Sequence, residues 1–283
     1  MSTAALRGLV LAGGRSERMR RDKASLAYAG RPQLDRAVEL IAPFVTRTFV
    51  SVRPDQIDEP QRASYERIVD LHPGLGPLAG IEAAQQAHPE AAWLVLACDL
   101  PFLSASALSF LVTHRDPARM ATAYRSRFDS KPEPLCAVYE PASREPLQRW
   151  IASGRNCPRA WLGSADVRLL DLAEPQALDN VNTAEEYAAA SAALASSTAA
   201  RDAPRQVQVR YFALLREQAG RSSEALQTHA RTPRELYEQL QRERGLQLEP
   251  RFLRVAINEE FGEWQQPLQD GDTVAFLPPV AGG

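Results

Sequence analysis

Lysine is nearly missing from this sequence. Lys23 and Lys131 stand against thirty-one arginines. A chain that otherwise chooses arginine makes each lysine worth a functional question, because a compact ammonium and a planar guanidinium are not interchangeable. Cysteine is scarce too. Cys98, Cys136 and Cys157 lie far apart, with no Cys-x-x-Cys pair and no histidine at ligand spacing. That pattern excludes a structural zinc site and fits the reduced thiols of a cytoplasmic protein. Cys98 and Cys136 sit in strand-like runs and read as small buried hydrophobes. The four histidines, at 72, 88, 114 and 229, show neither triad nor metal spacing. No apolar run approaches the roughly 18 residues of a transmembrane helix. The stretch from Gly8 to Gly14 is too short for a signal peptide and leads straight into Arg15, Arg18, Arg20 and Arg21. Neither sign of charge dominates: 33 basic against 35 acidic residues leave a net charge of −2. Nucleic acid and anionic membrane are therefore not expected partners.

What is present is an ordinary core-forming composition, 45% apolar and 24% charged over 283 residues, about twice the ~150 residues of one average domain. Residues 188–200 hold eight Ala and three Ser, with no charge, glycine or aromatic ring. Pro204 follows. We place an Ala/Ser-rich linker at 192–204, between domains at 1–191 and 205–283.

In the first domain, β-type runs at Leu6–Leu11, Thr48–Val52, Ile68–Val69, Trp93–Ala97 and Leu135–Tyr139 alternate with helix-period stretches such as Leu34–Ile41 and Leu78–Ala87. Alternation of this kind predicts βαβ units and a mainly parallel, doubly wound, Rossmann-like α/β sheet. Thr183-Ala184-Glu185-Glu186 is a capping box that predicts a helix start at Thr183. In the second domain, Val207–Tyr211 alternates like a half-buried strand. Thr232-Pro233-Arg234-Glu235 is another capping box, and Phe252–Ile257 and Thr273–Leu277 supply further strands. The expectation is a small α+β domain with one helix on a mixed sheet.

The most informative string runs from Leu9 to Lys23, LVLAGGRSERMRRDK, directly after the first strand. Gly13-Gly14 lets backbone amides approach an anion, while Arg18 and Lys23 add positive charge. A triphosphate suits such a loop. The string is neither a P-loop nor the dinucleotide fingerprint. Asp99 ends the apolar run Trp93–Ala97. Ligands of open α/β sheets collect beyond the carboxyl ends of strands, and a carboxylate there can bind Mg²⁺ together with substrate phosphates. Taken alone, Asp99 fits a cap for the helix starting near Ser104 equally well. Asn180 and Asn182 precede a helix N-terminus, where anions bind, yet either can simply cap or turn.

The glycine string resembles the signature of the molybdenum cofactor guanylyltransferase family. Gly76-Pro77-Leu78-Ala79-Gly80, Cys98-Asp99-Leu100-Pro101-Phe102 and Asp179-Asn180-Val181-Asn182-Thr183 resemble later motifs of that family in the same order. The match runs over residues 5–190. It implies a nucleotidyltransferase that binds GTP through Leu11, Ala12, Gly13, Gly14, Lys23, Asp70 and Gly76. Asp99 would be the Mg²⁺ ligand, and Asn180 and Asn182 would lie on the pterin side. Arg18, Lys23 and Asp99 become the candidate catalytic residues. Cytidylyl relatives typically carry Ala-Ala-Gly in place of Leu-Ala-Gly-Gly, so guanine is favoured over cytosine. The chain departs from the family at Arg20, where glycine is usual, and at Arg53, near a usual asparagine. No nucleotide contact is assigned to Arg53.

Residues 206–283 resemble the small subunit of molybdopterin synthase, a ubiquitin-like β-grasp sulfur carrier. The likeness rests on Arg210–Glu217, Val255–Glu260 and the ending Pro278-Pro279-Val280-Ala281-Gly282-Gly283. It implies that an adenylating, E1-like enzyme activates the Gly283 carboxylate, which then carries sulfur to the large synthase subunit. The combined expectation is a bifunctional cytoplasmic protein of molybdenum cofactor biosynthesis, with molybdopterin and GTP as substrates. The alternatives are a cytidylyltransferase for the same pterin, and a sulfur carrier fused to a degenerate nucleotide-binding domain.

Overall fold

A computed structural model describes residues 3–13, 26–28, 30–72, 74–174 and 176–279, with backbone alone for 197–202. Gly14, Arg18, Lys23 and Gly283 lie outside the described residues. Two compact units are present, Met1–Ser196 and Ser197–Gly283.

The first unit contains, in chain order, β1 (Leu6–Leu11), β2 (Ala27–Tyr28), β3 (Arg31–Pro32), α1 (Gln33–Ile41), β4 (Thr48–Val52), α2 (Pro60–Ala63), β5 (Arg67–Val69) and α3 (Pro77–Ala87). There follow β6 (Ala92–Ala97), α4 (Ala105–Thr113), β7 (Ala121–Arg125), β8 (Pro132–Tyr139), α5 (Arg144–Ala152), α6 (Pro158–Ser164), β9 (Val167–Leu170) and α7 (Ala184–Asp202). Seven strands form one sheet in the order β5-β4-β1-β6-β8-β7-β9. Of these seven, β8 alone runs against its neighbours. The sheet is thus mainly parallel, as the alternation predicts. No described helix is long and apolar enough to cross a membrane.

Both faces of the sheet are covered, which is why its inner strands are apolar on successive residues. Val10, Val50 and Leu94 face a core with Leu34 and Ile41 of α1 and Leu108 and Leu111 of α4. Their chain neighbours Leu9, Phe49 and Val95 face a second core with Leu78 and Ile81 of α3, Leu147 of α5 and Trp161 of α6. Cys98 and Cys136 are buried, as read from sequence.

Two glycines bring α3 against this sheet. Gly76 caps the helix at φ +60° and ψ −139°, a backbone conformation that residues with a Cβ rarely adopt. A Cβ on Gly80 would overlap Ser51, lying 2.9 Å from its Cβ and 3.0 Å from Leu11 Cδ2. Gly80→Ala therefore pits about 1 kcal/mol of helix propensity in its favour against ~1–3 kcal/mol of overpacking. Because the clash is with a strand rather than a flexible tip, we expect net loss of stability, seen as a lowered Tm, together with displacement of the Ser51 hydroxyl.

The segment 192–204 differs from the linker expected of it, because α7 runs through Asp202. Alanine has the highest helix propensity, and the capping box starts the helix firmly. Glu186 N–H donates to Thr183 Oγ1 at 3.1 Å, and Thr183 N–H donates to Glu186 Oε2 at 3.1 Å. The serines and threonine do not outweigh the alanines, and the break waits for Ala203-Pro204. Tyr187 of α7 donates to the Ala27 carbonyl at 2.6 Å and meets the Tyr28 ring edge-on at 5.1 Å.

The second unit holds β10 (Arg205–Tyr211), α8 (Ala213–Ala219), β11 (Ser223–Thr228), α9 (Pro233–Arg244), β12 (Arg254–Ile257), β13 (Glu260–Gly262) and β14 (Thr273–Leu277). Its sheet order is β11-β10-β14-β12-β13, with a parallel central pair β10–β14 and antiparallel pairs outside. Leu236, Tyr237 and Leu240 of α9 pack on Val209, Val255, Val274 and Phe276. The long helix α9 across a five-stranded mixed sheet is the β-grasp arrangement; the short α8 is a second helix that the one-helix expectation lacked, and its Leu215 and Ala219 join the same core.

Glu224 of β11 gathers two arginines and a tyrosine. It accepts from Arg244 at 2.9 and 2.8 Å, from Arg221 at 3.1 Å and from the Tyr211 hydroxyl at 2.7 Å. The Arg244 bonds, chiefly, hold its carboxyl below the usual carboxylate range. A depressed folded-state pKa stabilises the fold above the unfolded value of about 4.3. That stability is lost as pH falls through the folded value. Glu224→Gln is expected to cost about 2 kcal/mol at pH 7 and progressively less as the pH falls below the unfolded value and through the folded one. Urea titrations of the full chain, read by hydrogen-exchange protection of β10, would check both ends of that window.

Candidate functional site

The carboxyl ends of β1, β4, β5 and β6 open onto one cleft of about 750 Å³. β1 delivers the glycine turn. Ala12 N–H continues the pairing with β4 by donating to the Ser51 carbonyl at 3.2 Å. Gly13 then passes close to its neighbours: a Cβ there would lie 3.3 Å from Asp70 Oδ2 and 3.4 Å from Arg53 Cγ. Glycine is what lets this turn approach the end of β5.

Asp70 follows β5 and is buried. It accepts the Ser51 hydroxyl at 2.7 Å, and its amide donates to the Val52 carbonyl at 2.9 Å. Burial pushes its carboxyl above the usual range, while the Ser51 bond and the Arg53 charge pull it back. Asp99 sits in the turn after β6, tied to β1 through Cys98 N–H on the Leu11 carbonyl at 3.3 Å. It is not the cap of α4. That role belongs to Ser104, whose hydroxyl accepts from Ala107 N–H at 3.2 Å.

Leu11, Ala12, Gly13, Asp70, Gly76 and Asp99 all line this single cleft. A family profile described as the MobA-like NTP transferase domain matches residues 8–169, which include every one of them. The chain belongs to that family. A second profile, the ThiS family, matches residues 209–283. The molybdenum cofactor biosynthesis bifunctional protein of a Synechocystis species is 32% identical over 187 residues, 66% of this chain and 54% of that protein. The match thus spans about half of that relative. A probable molybdenum cofactor guanylyltransferase of Synechococcus elongatus is 32% identical over 189 residues, 64% of this chain and 95% of the relative. Among solved structures, molybdopterin-guanine dinucleotide biosynthesis protein A from Archaeoglobus fulgidus superposes with a TM-score of 0.58. It is 25% identical and covers 67% of this chain and 99% of its own.

The asparagine segment lies beside the MobA-like cleft. Val181 N–H donates to the Asp99 carbonyl at 3.2 Å. Asn180 opens on a neighbouring pocket of about 150 Å³ that shares Ala97 and Leu135 with the cleft. Two of the amides before this helix are held within the chain: Glu186 Oε2 accepts from Asn182 N–H at 2.6 Å as well as from Thr183.

Two residues of the site, Ser51 and Arg62, escape sequence reasoning, and a third, Arg53, is given no role by it. Ser51 orients Asp70. Arg53, where the family usually has asparagine nearby, lines the cleft, donates to the Gly13 carbonyl and grips Asp55 at 2.9 and 3.0 Å. Arg62 is fully buried beneath the turn. Among thirty-one arginines nothing marks it. The only sequence signal is its place in the short segment between β4 and β5, the two strands on one side of β1 in the sheet.

Proposed function

We propose that the first unit transfers GMP from GTP to a molybdopterin phosphate, and that the second carries sulfur as a thiocarboxylate on Gly283. The convergence of the glycine turn, Asp70 and Asp99 at the strand ends of a MobA-like domain carries the first half. Leu11, Ala12, Gly13, Gly14, Asp70 and Gly76 form the GTP side, and Arg18 and Lys23 offset the triphosphate charge. Asn180 and Asn182 form the pterin side. A pterin phosphate oxygen attacks the α-phosphorus. The new O–P bond forms as the bond to the bridging oxygen breaks, and pyrophosphate leaves. No side-chain nucleophile is required.

Mg²⁺ is the proposed metal. The donors suit it: carboxylate oxygens at Asp99, and no group of three or more His, Cys, Asp or Glu among the described residues that would make a fuller protein cage. Mg²⁺ prefers one or two carboxylates completed by water and phosphate. Bound there, it would neutralise charge on the triphosphate.

The ThiS match over 209–283 supports the carrier half. Its partners would be an E1-like adenylating enzyme and the large subunit of molybdopterin synthase, in the cytoplasm. The test is parallel incorporation of labelled GTP and CTP into molybdopterin by the intact chain. Label from GTP is expected. Label from CTP alone would establish the cytidylyl reading, and none from either the degenerate one. In the same assay Lys23→Ala should raise the GTP KM at least tenfold, whereas Lys131→Ala leaves it within twofold. Lys131 is 67% exposed beside Asp129, and both substitutions remove one ammonium. Equal losses would reduce Lys23 to a surface residue.

A further inference from the structure

Two guanidinium groups hold the start of the glycine turn. Arg62 Nη2 donates to the Ala12 carbonyl at 2.7 Å, and Arg53 Nη1 donates to the next carbonyl, that of Gly13. Arg53 is part of the cleft wall, but Arg62 is not. Its side chain is 1% exposed, and its other arm is taken by Glu59, which precedes α2.

Burying a guanidinium is costly unless it makes several bonds. A structural anchor needs only a protein partner of any kind, and Glu59 already supplies one. The second arm goes instead to the last carbonyl before the glycines. In a trans peptide the N–H points opposite to the C=O. Fastening the Ala12 carbonyl inward therefore turns the Gly13 N–H outward, and Gly13 lines the cleft. A glycine has no side chain to hold that orientation and would otherwise spend backbone freedom on binding.

We infer that Arg62 is a positioning residue for nucleotide binding: it never meets the nucleotide, but fixes the Ala12–Gly13 peptide so that its amide is presented to the bound guanine nucleotide. This rests on the proposed guanylyl transfer, so its test uses binding as well as turnover. Dissociation constants for Mg·GTP would be measured with the full chain well below its Tm, for the parent, Arg62→Met, Arg62→Lys and Glu59→Gln.

Arg62→Met should weaken GTP about tenfold. Arg62→Lys keeps the charge but cannot fork to both acceptors, and should weaken it about threefold. Glu59→Gln should stay within twofold, because the Ala12 bond survives. In turnover the loss should appear in the GTP KM, with kcat at saturating GTP within threefold. Should Arg62→Met not fold, Arg62→Lys and Glu59→Gln still decide the matter. Variants with lowered Tm but parental GTP affinity overturn the inference and leave Arg62 a structural anchor. Equal weakening by Glu59→Gln and Arg62→Lys overturns it as well. A parent chain that binds no guanine nucleotide overturns the guanylyl reading itself, and this inference with it.

Discussion

Asp99→Ala is expected to remove guanylyl transfer while leaving the fold in place. Asp99 follows the end of β6, next to the strand that carries the glycine turn, and lines the same cleft. Losing it would deprive the developing phosphate charge of the proposed Mg²⁺, and ~4 kcal/mol of transition-state stabilisation, or about a thousandfold in rate, is a reasonable scale. The fold should survive because the bond to Val181 uses the Asp99 backbone carbonyl, which alanine keeps, and because Ser104 caps α4. Asp99→Asn keeps the shape and loses the charge, so it should fall nearly as far. Initial rates at saturating Mg²⁺, alongside the Tm, make the measurement. A loss of less than tenfold would show that Asp99 is not the metal ligand.

Deleting Gly282 and Gly283 is expected to have the opposite profile. Thiocarboxylate formation should vanish, because it needs a terminal glycine carboxylate slim enough to enter the activating enzyme. Guanylyl transfer should be unchanged within twofold. The cleft's described walls come from the first unit, and the second unit has a core of its own around Phe276, Tyr237 and Val209. Intact mass after treatment with the activating enzyme would show whether oxygen has been exchanged for sulfur, and GTP turnover would be measured on the same sample. A truncated chain that still takes up sulfur would overturn the carrier reading. One that also loses guanylyl transfer would show that the two halves are energetically coupled.

The parts of this fold that are legible in the sequence are those whose burial leaves a mostly apolar run. β1, β4 and β6 lie inside the sheet with helices on both sides, and their sequences could hardly be anything but strands. β7 and β9 are harder to see. Ala-Thr-Ala-Tyr-Arg and Val-Arg-Leu-Leu are short and mixed, and only the tertiary ladder selects extended structure for them. The two-residue strands β2 and β3 carry no pattern at all. At 192–202, alanine propensity outweighs the serines and threonine that suggest a break.

The site divides the same way. The Gly13 turn and Asp99 announce themselves because local sequence and strand end coincide. The cap reading of Asp99 needed the structure to remove it, because Ser104 holds that place. Ser51 and Arg62 act through contacts between segments far apart in the chain, 19 and 50 residues respectively from their partners. No local pattern encodes such contacts.

The Ser51 hydroxyl ties two positions to one another. It donates to Asp70, and it occupies the space that a side chain at position 80 would need. In a close-packed interior these volumes are complementary. Residues 51 and 80 are therefore not free to drift separately. A bulkier residue at 80 requires a smaller one at 51, and the smaller residue strips Asp70 of its donor. Substitutions at the two sites should be strongly non-additive in stability, yet no exchange of volume between them restores the hydroxyl. Evolution can repair the packing at this spot or keep the hydrogen bond, but with these two residues alone it can do both only with glycine at 80 and serine at 51.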